Sequence, residues 1–140
     1  RFKTQKEILN KKSSVIQDRS IYEDAEIFAR NLYQLGKMKK RDYDNYRKLF
    51  REMTYFLQPP DLLIYLRSSL PKLLKQIRLR GREFEKNIDT GYLERLNYSY
   101  EEWISGYKIG KCLIIENEKI DFVNNKKDFS RITNLIMKNL

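Results

Sequence analysis

The sequence predicts an α/β fold, mostly helical, with about three short strands in a parallel sheet. Three observations carry this. Residues 61–67 read Asp-Leu-Leu-Ile-Tyr-Leu-Arg, a run too short for a stable helix and bounded by Pro59 and Pro60. Apolar residues on either side recur at helical spacing. Strand-like runs alternate with helical ones, and parallel neighbours need such crossover connections.

Taken in order, residues 13–18 hold Val15 and Ile16, end at Asp18 and run into a helical pattern, which predicts a short buried strand. Ile21, Ala25, Phe28, Leu32 and Leu35 come next at spacings of four, three, four and three, one face of a helix that Gly36 ends. Tyr43, Tyr46, Phe50, Met53 and Leu57 imply a second helix, closed by the two prolines. Residues 61–67, apolar almost throughout, suit a central strand covered on both faces. Ser69 as N-cap and Pro71 in the first turn start a helix striped by Leu70, Leu73, Leu74 and Ile77, which Gly81 breaks. Ile88, Tyr92, Leu96, Tyr100 and Trp103 mark another helix, residues 111–116 a third strand, and Phe129, Ile132, Leu135 and Ile136 a final helix. Three strands make a thin sheet. Residues 1–140 therefore read as one domain that is part of a larger one, whose first strand and helix lie upstream.

Composition bounds the function. With 41% hydrophobic residues, ten Tyr and seven Phe, the chain has the material for a core that a disordered segment lacks. Its longest apolar runs, 62–66 and 112–115, fall short of the roughly 20 residues that cross a bilayer. No secretory leader pattern opens it. One cysteine, Cys112, and no histidine give neither a disulfide nor a zinc site, so a cytoplasmic protein is expected. A net charge of +10 raises the question of a polyanionic partner, although lysines such as Lys3, Lys6, Lys126 and Lys127 sit in mixed polar stretches typical of a solvated face.

Three segments have chemistry to offer. Asp18-Arg19-Ser20 lies at the carboxyl end of the first expected strand and the start of a helix, the edge where open α/β sheets bind ligands. Ser20 and Glu23 have the spacing of a capping box, which leaves Asp18 and Arg19 unexplained. Arginine suits phosphate and a carboxylate suits Mg²⁺. Asp24 borders the apolar helix face, as a dipole-complementing charge or as an acceptor for an amino group on a base. The run 78–85, Arg-Leu-Arg-Gly-Arg-Glu-Phe-Glu, is either a solvated turn or a mobile lid closing cations over phosphates. The stretch 106–112 superficially suggests the phosphate-binding loop Gly-x-x-x-x-Gly-Lys-Ser/Thr. It is one residue short, carries Cys112 for the hydroxyl residue and precedes a strand, so it is rejected.

In order and spacing, several of these pieces resemble the deoxynucleoside kinase family, particularly the bacterial deoxyadenosine, deoxyguanosine and deoxycytidine kinases. The resemblance rests on Asp18-Arg19-Ser20-Ile21-Tyr22-Glu23-Asp24, on Ile27-Phe28-Ala29-Arg30-Asn31-Leu32-Tyr33 and on Pro60-Asp61-Leu62-Leu63-Ile64-Tyr65-Leu66. Arg80-Gly81-Arg82 with Glu85, and Tyr92-Leu93 with Leu96, continue it. It implies a three-layer α/β/α fold of the P-loop kinase type and transfer of the γ-phosphoryl group of ATP to the 5′-hydroxyl of a deoxynucleoside, in nucleotide salvage. By the same resemblance Asp18 would help hold Mg²⁺, and Arg19 would contact phosphate. Asp24 would read the base, paired with Arg1. Arg80 and Arg82 would be lid arginines, in a lid at about 78–86, and Glu85 would hold the sugar 3′-hydroxyl. Apart from the resemblance, the helices of residues 21–57 offer an apolar, aromatic surface for a homodimer, although the same stripes serve an ordinary core. The chain departs from the family at Gln76, where many members have another lid arginine whose place Arg78 could take. The phosphate-binding loop and the general-base glutamate lie upstream in the family's fold, so the 140 residues alone are expected to be inactive.

Two other readings compete: a basic helical nucleic-acid module with Lys37, Lys39, Lys40, Arg41, Arg47 and Lys48 against phosphates, and a non-catalytic dimerising relative of the kinase.

Overall fold

The computed structural model describes residues 1–85 and 87–140, without the side chains of Leu9 and Phe84; Lys86, in the expected lid, lies outside the described residues. The described elements are seven α-helices and two strands, with two short helical turns of other kinds. They are α1 (Phe2–Leu9), α2 (Ile21–Glu23), a π-helical segment (Asp24–Ala29), α3 (Arg30–Gln34), α4 (Lys40–Tyr55), β1 (Leu63–Arg67), α5 (Leu70–Arg80), a 3₁₀ turn (Glu83–Glu85), α6 (Thr90–Ser105), β2 (Cys112–Glu116) and α7 (Lys126–Asn139).

The chain divides into two compact units. The first comprises Arg1–Pro59 with Tyr98–Trp103 of α6. Its core is Ile21, Tyr22, Ala25, Phe50 and Leu57, with Phe2, Tyr46, Met53 and Trp103 packed against it. The Tyr22 ring meets Phe50 edge-on at 6.0 Å, and Tyr33 of α3 stacks flat on Tyr43 of α4 at 4.5 Å, so aromatic pairs fix how these helices cross.

The single continuous helix expected from Ile21 to Leu35 is interrupted by the π-helical turn. A π turn takes in one extra residue, and each extra residue rotates the remainder of the helix by about 100°. The buried face accordingly runs through Ile21, Tyr22, Ala25, Ile27, Ala29 and Asn31, while Leu32 is left exposed. The simple four-three spacing placed Leu32 in the core, which the π turn corrects.

The second unit, Pro60–Asn97 and Ile104–Leu140, holds the sheet. β1 and β2 pair in parallel from Leu63 opposite Cys112 to Arg67 opposite Glu116, and that last pair is an ion pair of 2.8 Å. α5 comes directly after β1: the Ser69 hydroxyl accepts from the Lys72 N–H, Pro71 occupies the first turn, and Gly81, at φ 65°, ends the helix in the left-handed conformation that glycine tolerates. Residues 13–18 form no strand, and Ile16 there is 98% exposed. A strand needs a neighbour for its backbone groups, and the only ladder among the described residues is that of β1 with β2. Nor is β1 covered on both faces, since its Leu66 is exposed.

Candidate functional site

In the first unit the residues singled out at the start of α2 come together around Arg1. Its Nη1 donates to the carbonyls of Asp18 at 2.7 Å and Arg19 at 3.1 Å, and its Nε lies 3.7 Å from the Asp24 carboxylate. Arg1, Asp18, Arg19 and Asp24 are therefore one cluster, and Asp24 opens the π-helical segment. Single π turns inside helices are frequent at functional sites because they re-aim side chains.

Arg19 is the only non-glycine described residue in the left-handed region, at φ 58°. Its guanidinium rests over the Phe28 ring, 5.0 Å from the centroid. Ser20 and Glu23 form the capping box read from their spacing: the Ser20 N–H donates to Glu23 Oε2 at 2.8 Å, the two side chains are hydrogen-bonded, and the Tyr22 N–H donates to Ser20 Oγ at 3.1 Å. Both residues are thereby explained by the helix start, leaving Asp18 and Arg19 at the rim with exposed side chains.

Sequence periodicity placed Tyr100 in an apolar stripe. Its phenol instead belongs to this charged neighbourhood, with its pKa pushed up to about 12 by burial first, then by Glu23, Asp18 and Asp24, with Arg19 acting in the opposite direction. Burial, together with the nearby Asp24 charge, likewise raises Tyr46. Glu26 takes Arg47 at 2.5 Å and Arg30 takes Glu102 at 2.9 Å, pairs that no local spacing reveals.

The second unit carries the lid candidates. Arg80 holds the Glu85 carboxylate through Nη2 at 2.7 Å and Nε at 3.0 Å, and Arg82 Nη1 reaches it at 3.5 Å. Glu85 is mostly buried between them, whereas both arginines remain about half exposed. Two cations thus converge on one carboxylate, one from each side of Gly81 in the sequence. Gln76 and Arg78 are exposed on α5.

Of the cations proposed for nucleic acid, Lys40 pairs with Asp44 at 2.6 Å, Arg41 with Asp42 at 3.2 Å and Arg47 with Glu26. These pairs neutralise half of that face. No helix among the described residues is long and apolar enough to cross a membrane.

The deoxynucleoside kinase family model matches residues 1–140. The chain belongs to the deoxynucleoside kinase family. Within that family it is 40% identical over 138 residues to the deoxyadenosine/deoxycytidine kinase of Bacillus subtilis (strain 168), covering 97% of this chain and 64% of the relative. It is 38% identical to the deoxyguanosine kinase of the same organism, across 92% of this chain and 61% of the relative. A deoxyadenosine kinase from M. mycoides, solved with the products dCMP and a flexible dCDP, superposes with a TM-score of 0.77 at 27% identity, over 98% of this chain and 69% of that one. The chain thus spans under two thirds of the length of these two curated family relatives.

Proposed function

We propose that this chain supplies the deoxynucleoside-reading and lid parts of a kinase that transfers the γ-phosphoryl group of ATP to the 5′-hydroxyl of a deoxynucleoside. The observation that carries the reading is the Arg1–Asp24 pair joined through Arg1 to the Asp18–Arg19 turn, inside a chain matched end to end by the kinase family. The 5′-oxygen bonds to the γ-phosphorus, the bond to the β–γ bridging oxygen breaks, ADP leaves, and the hydroxyl proton passes to a base outside these residues.

Asp24, held by Arg1, accepts from the base, and Arg19 contacts phosphate. Arg80 and Arg82 exchange Glu85 for the transferring phosphoryl group, whose developing charge they stabilise, and the released Glu85 accepts from the sugar 3′-hydroxyl. Asp18 is the residue for Mg²⁺. It is an exposed carboxylate, and Mg²⁺ takes one or two carboxylates with waters and substrate phosphates. Held there, Mg²⁺ would supply positive charge to offset that of the phosphates. Related structures with bound dATP and with nucleotide products support a nucleotide site. The exposed Leu49, Tyr55 and Phe56 on and just after α4 support a homodimer through the helices of residues 21–57. A single cysteine, Cys112, in 140 residues suits a reducing, cytoplasmic location.

The test is steady-state kinetics on the complete enzyme. Arg80→Gln or Arg82→Gln should lower kcat by roughly 100-fold, a loss comparable to one oxyanion-hole donor. Arg95→Gln, on α6 beside Asp89, should stay within about twofold, as removal of an exposed charge does. If all three variants behave alike, the arginine run is a structural turn and the reading fails.

A further inference from the structure

Arg19 sits at φ 58°, a conformation that costs an L-residue energy and that glycine adopts freely. A chain that needed only the turn would carry glycine there. An arginine in this conformation persists where surrounding contacts over-determine it, and such residues concentrate at functional sites. The contacts are visible: the Arg19 carbonyl accepts from Arg1 Nη1 at 3.1 Å and from Gln17 Nε2 at 2.9 Å. Arg1 also serves Asp24. Gln17, half-buried and two residues before Arg19, has no part in the chemistry described so far.

We propose that Gln17 is a positioning residue for Arg19: its side-chain amide closes the left-handed turn and so aims the Arg19 guanidinium. The Gln17 amide N–H at the Arg19 backbone and the Phe28 ring under its guanidinium fix both ends of the residue. The role needs a donor. Glutamate has the same shape, but its carboxylate would face the Arg19 carbonyl oxygen with no proton between them. The inference rests on Arg19 contacting phosphate in the kinase reading.

The experiment compares Gln17→Glu and Gln17→Asn in the complete enzyme, with kcat, the deoxynucleoside KM, and the rate of tryptic cleavage after Arg19 as readouts. Gln17→Glu should be cut faster after Arg19 and should lose about tenfold or more in kcat with KM within about twofold, the pattern of a lost transition-state contact. Gln17→Asn keeps the amide donor on a side chain one methylene shorter and should lose less of both than Gln17→Glu. A Gln17→Glu enzyme whose kcat stays within about twofold of the parent overturns the proposal, as does one whose cleavage after Arg19 is unchanged. If the parent enzyme phosphorylates no deoxynucleoside, the kinase reading falls separately, and the cleavage rates alone judge whether Gln17 closes the turn.

Discussion

At the scale of single residues, Asp24 shows how a charge at a helix start acquires a partner from a distant part of the chain. A carboxylate in the first turn of a helix is ordinarily explained by the helix dipole. Here Arg1 approaches it at 3.7 Å while bonding the backbone of Asp18 and Arg19, so Asp24 is tied to the rim of the phosphate-contact candidates. Asp24→Ala in the complete enzyme should cost about 1.5–3 kcal/mol in kcat/KM, the size of a hydrogen bond to a charged group, while the helix survives because alanine favours it. Equal kcat/KM for all four deoxynucleosides in mutant and parent would leave Asp24 as a helix-terminal charge. The Ser20–Glu23 capping box was legible from spacing, because both partners lie within one turn. The Arg19 turn was not, because a positive φ at a non-glycine residue has no signature in residue type.

Elements behave according to how their ends are tied. At the start of α5 the Glu118 carboxylate accepts from the Ser69 N–H at 3.1 Å and from its hydroxyl at 3.0 Å, and Lys72 Nζ donates to the carbonyls of Glu118 and Ile120. This joins the segment after β2 to α5. These hydrogen bonds, with Lys72 nearby, hold the Glu118 carboxyl below its ordinary value of 4.5. Because the folded-state pKa is the lower one, the stability it confers is present in full above pH 4.5 and fades as the pH falls through the folded value. Thermal melts from pH 7 downward should show a shallower acid limb for Glu118→Gln than for the parent; parallel limbs would assign the acid loss to other carboxylates. In the first unit, Phe50 is 6% exposed and edge-on to Tyr22. Phe50→Ala should lower unfolding free energy by about 3–5 kcal/mol, measured by denaturant titration, and a loss under about 1 kcal/mol would mean that the helices close over the gap.

On the scale of the whole molecule, the candidate residues fall in two compact units. Arg1, Asp18, Arg19 and Asp24 belong to one compact unit, and Arg80, Arg82 and Glu85 to the other. The 140 residues contain no Gly-x-x-x-x-Gly-Lys-Ser/Thr sequence, and phosphoryl transfer depends on positioning and charge stabilisation of that kind. The purified 140-residue chain should therefore show no turnover of any deoxynucleoside with ATP and Mg²⁺; turnover above the enzyme-free background would overturn this.

By itself the sequence determined the alternation of helices with β1 and β2, the stops at Pro59, Pro60 and Gly81, and the motifs that resemble the kinases. Each of these depends on residue type within one or two turns of chain. Tertiary structure alone decided that residues 13–18 stay unpaired, that a π turn moves Leu32 outward and Ile27 inward, and that Tyr100 lies among the charges around Arg19. The reason is range: a strand is made by its neighbour, a helix register by what packs on it, and a pKa by charges brought together from distant parts of the chain.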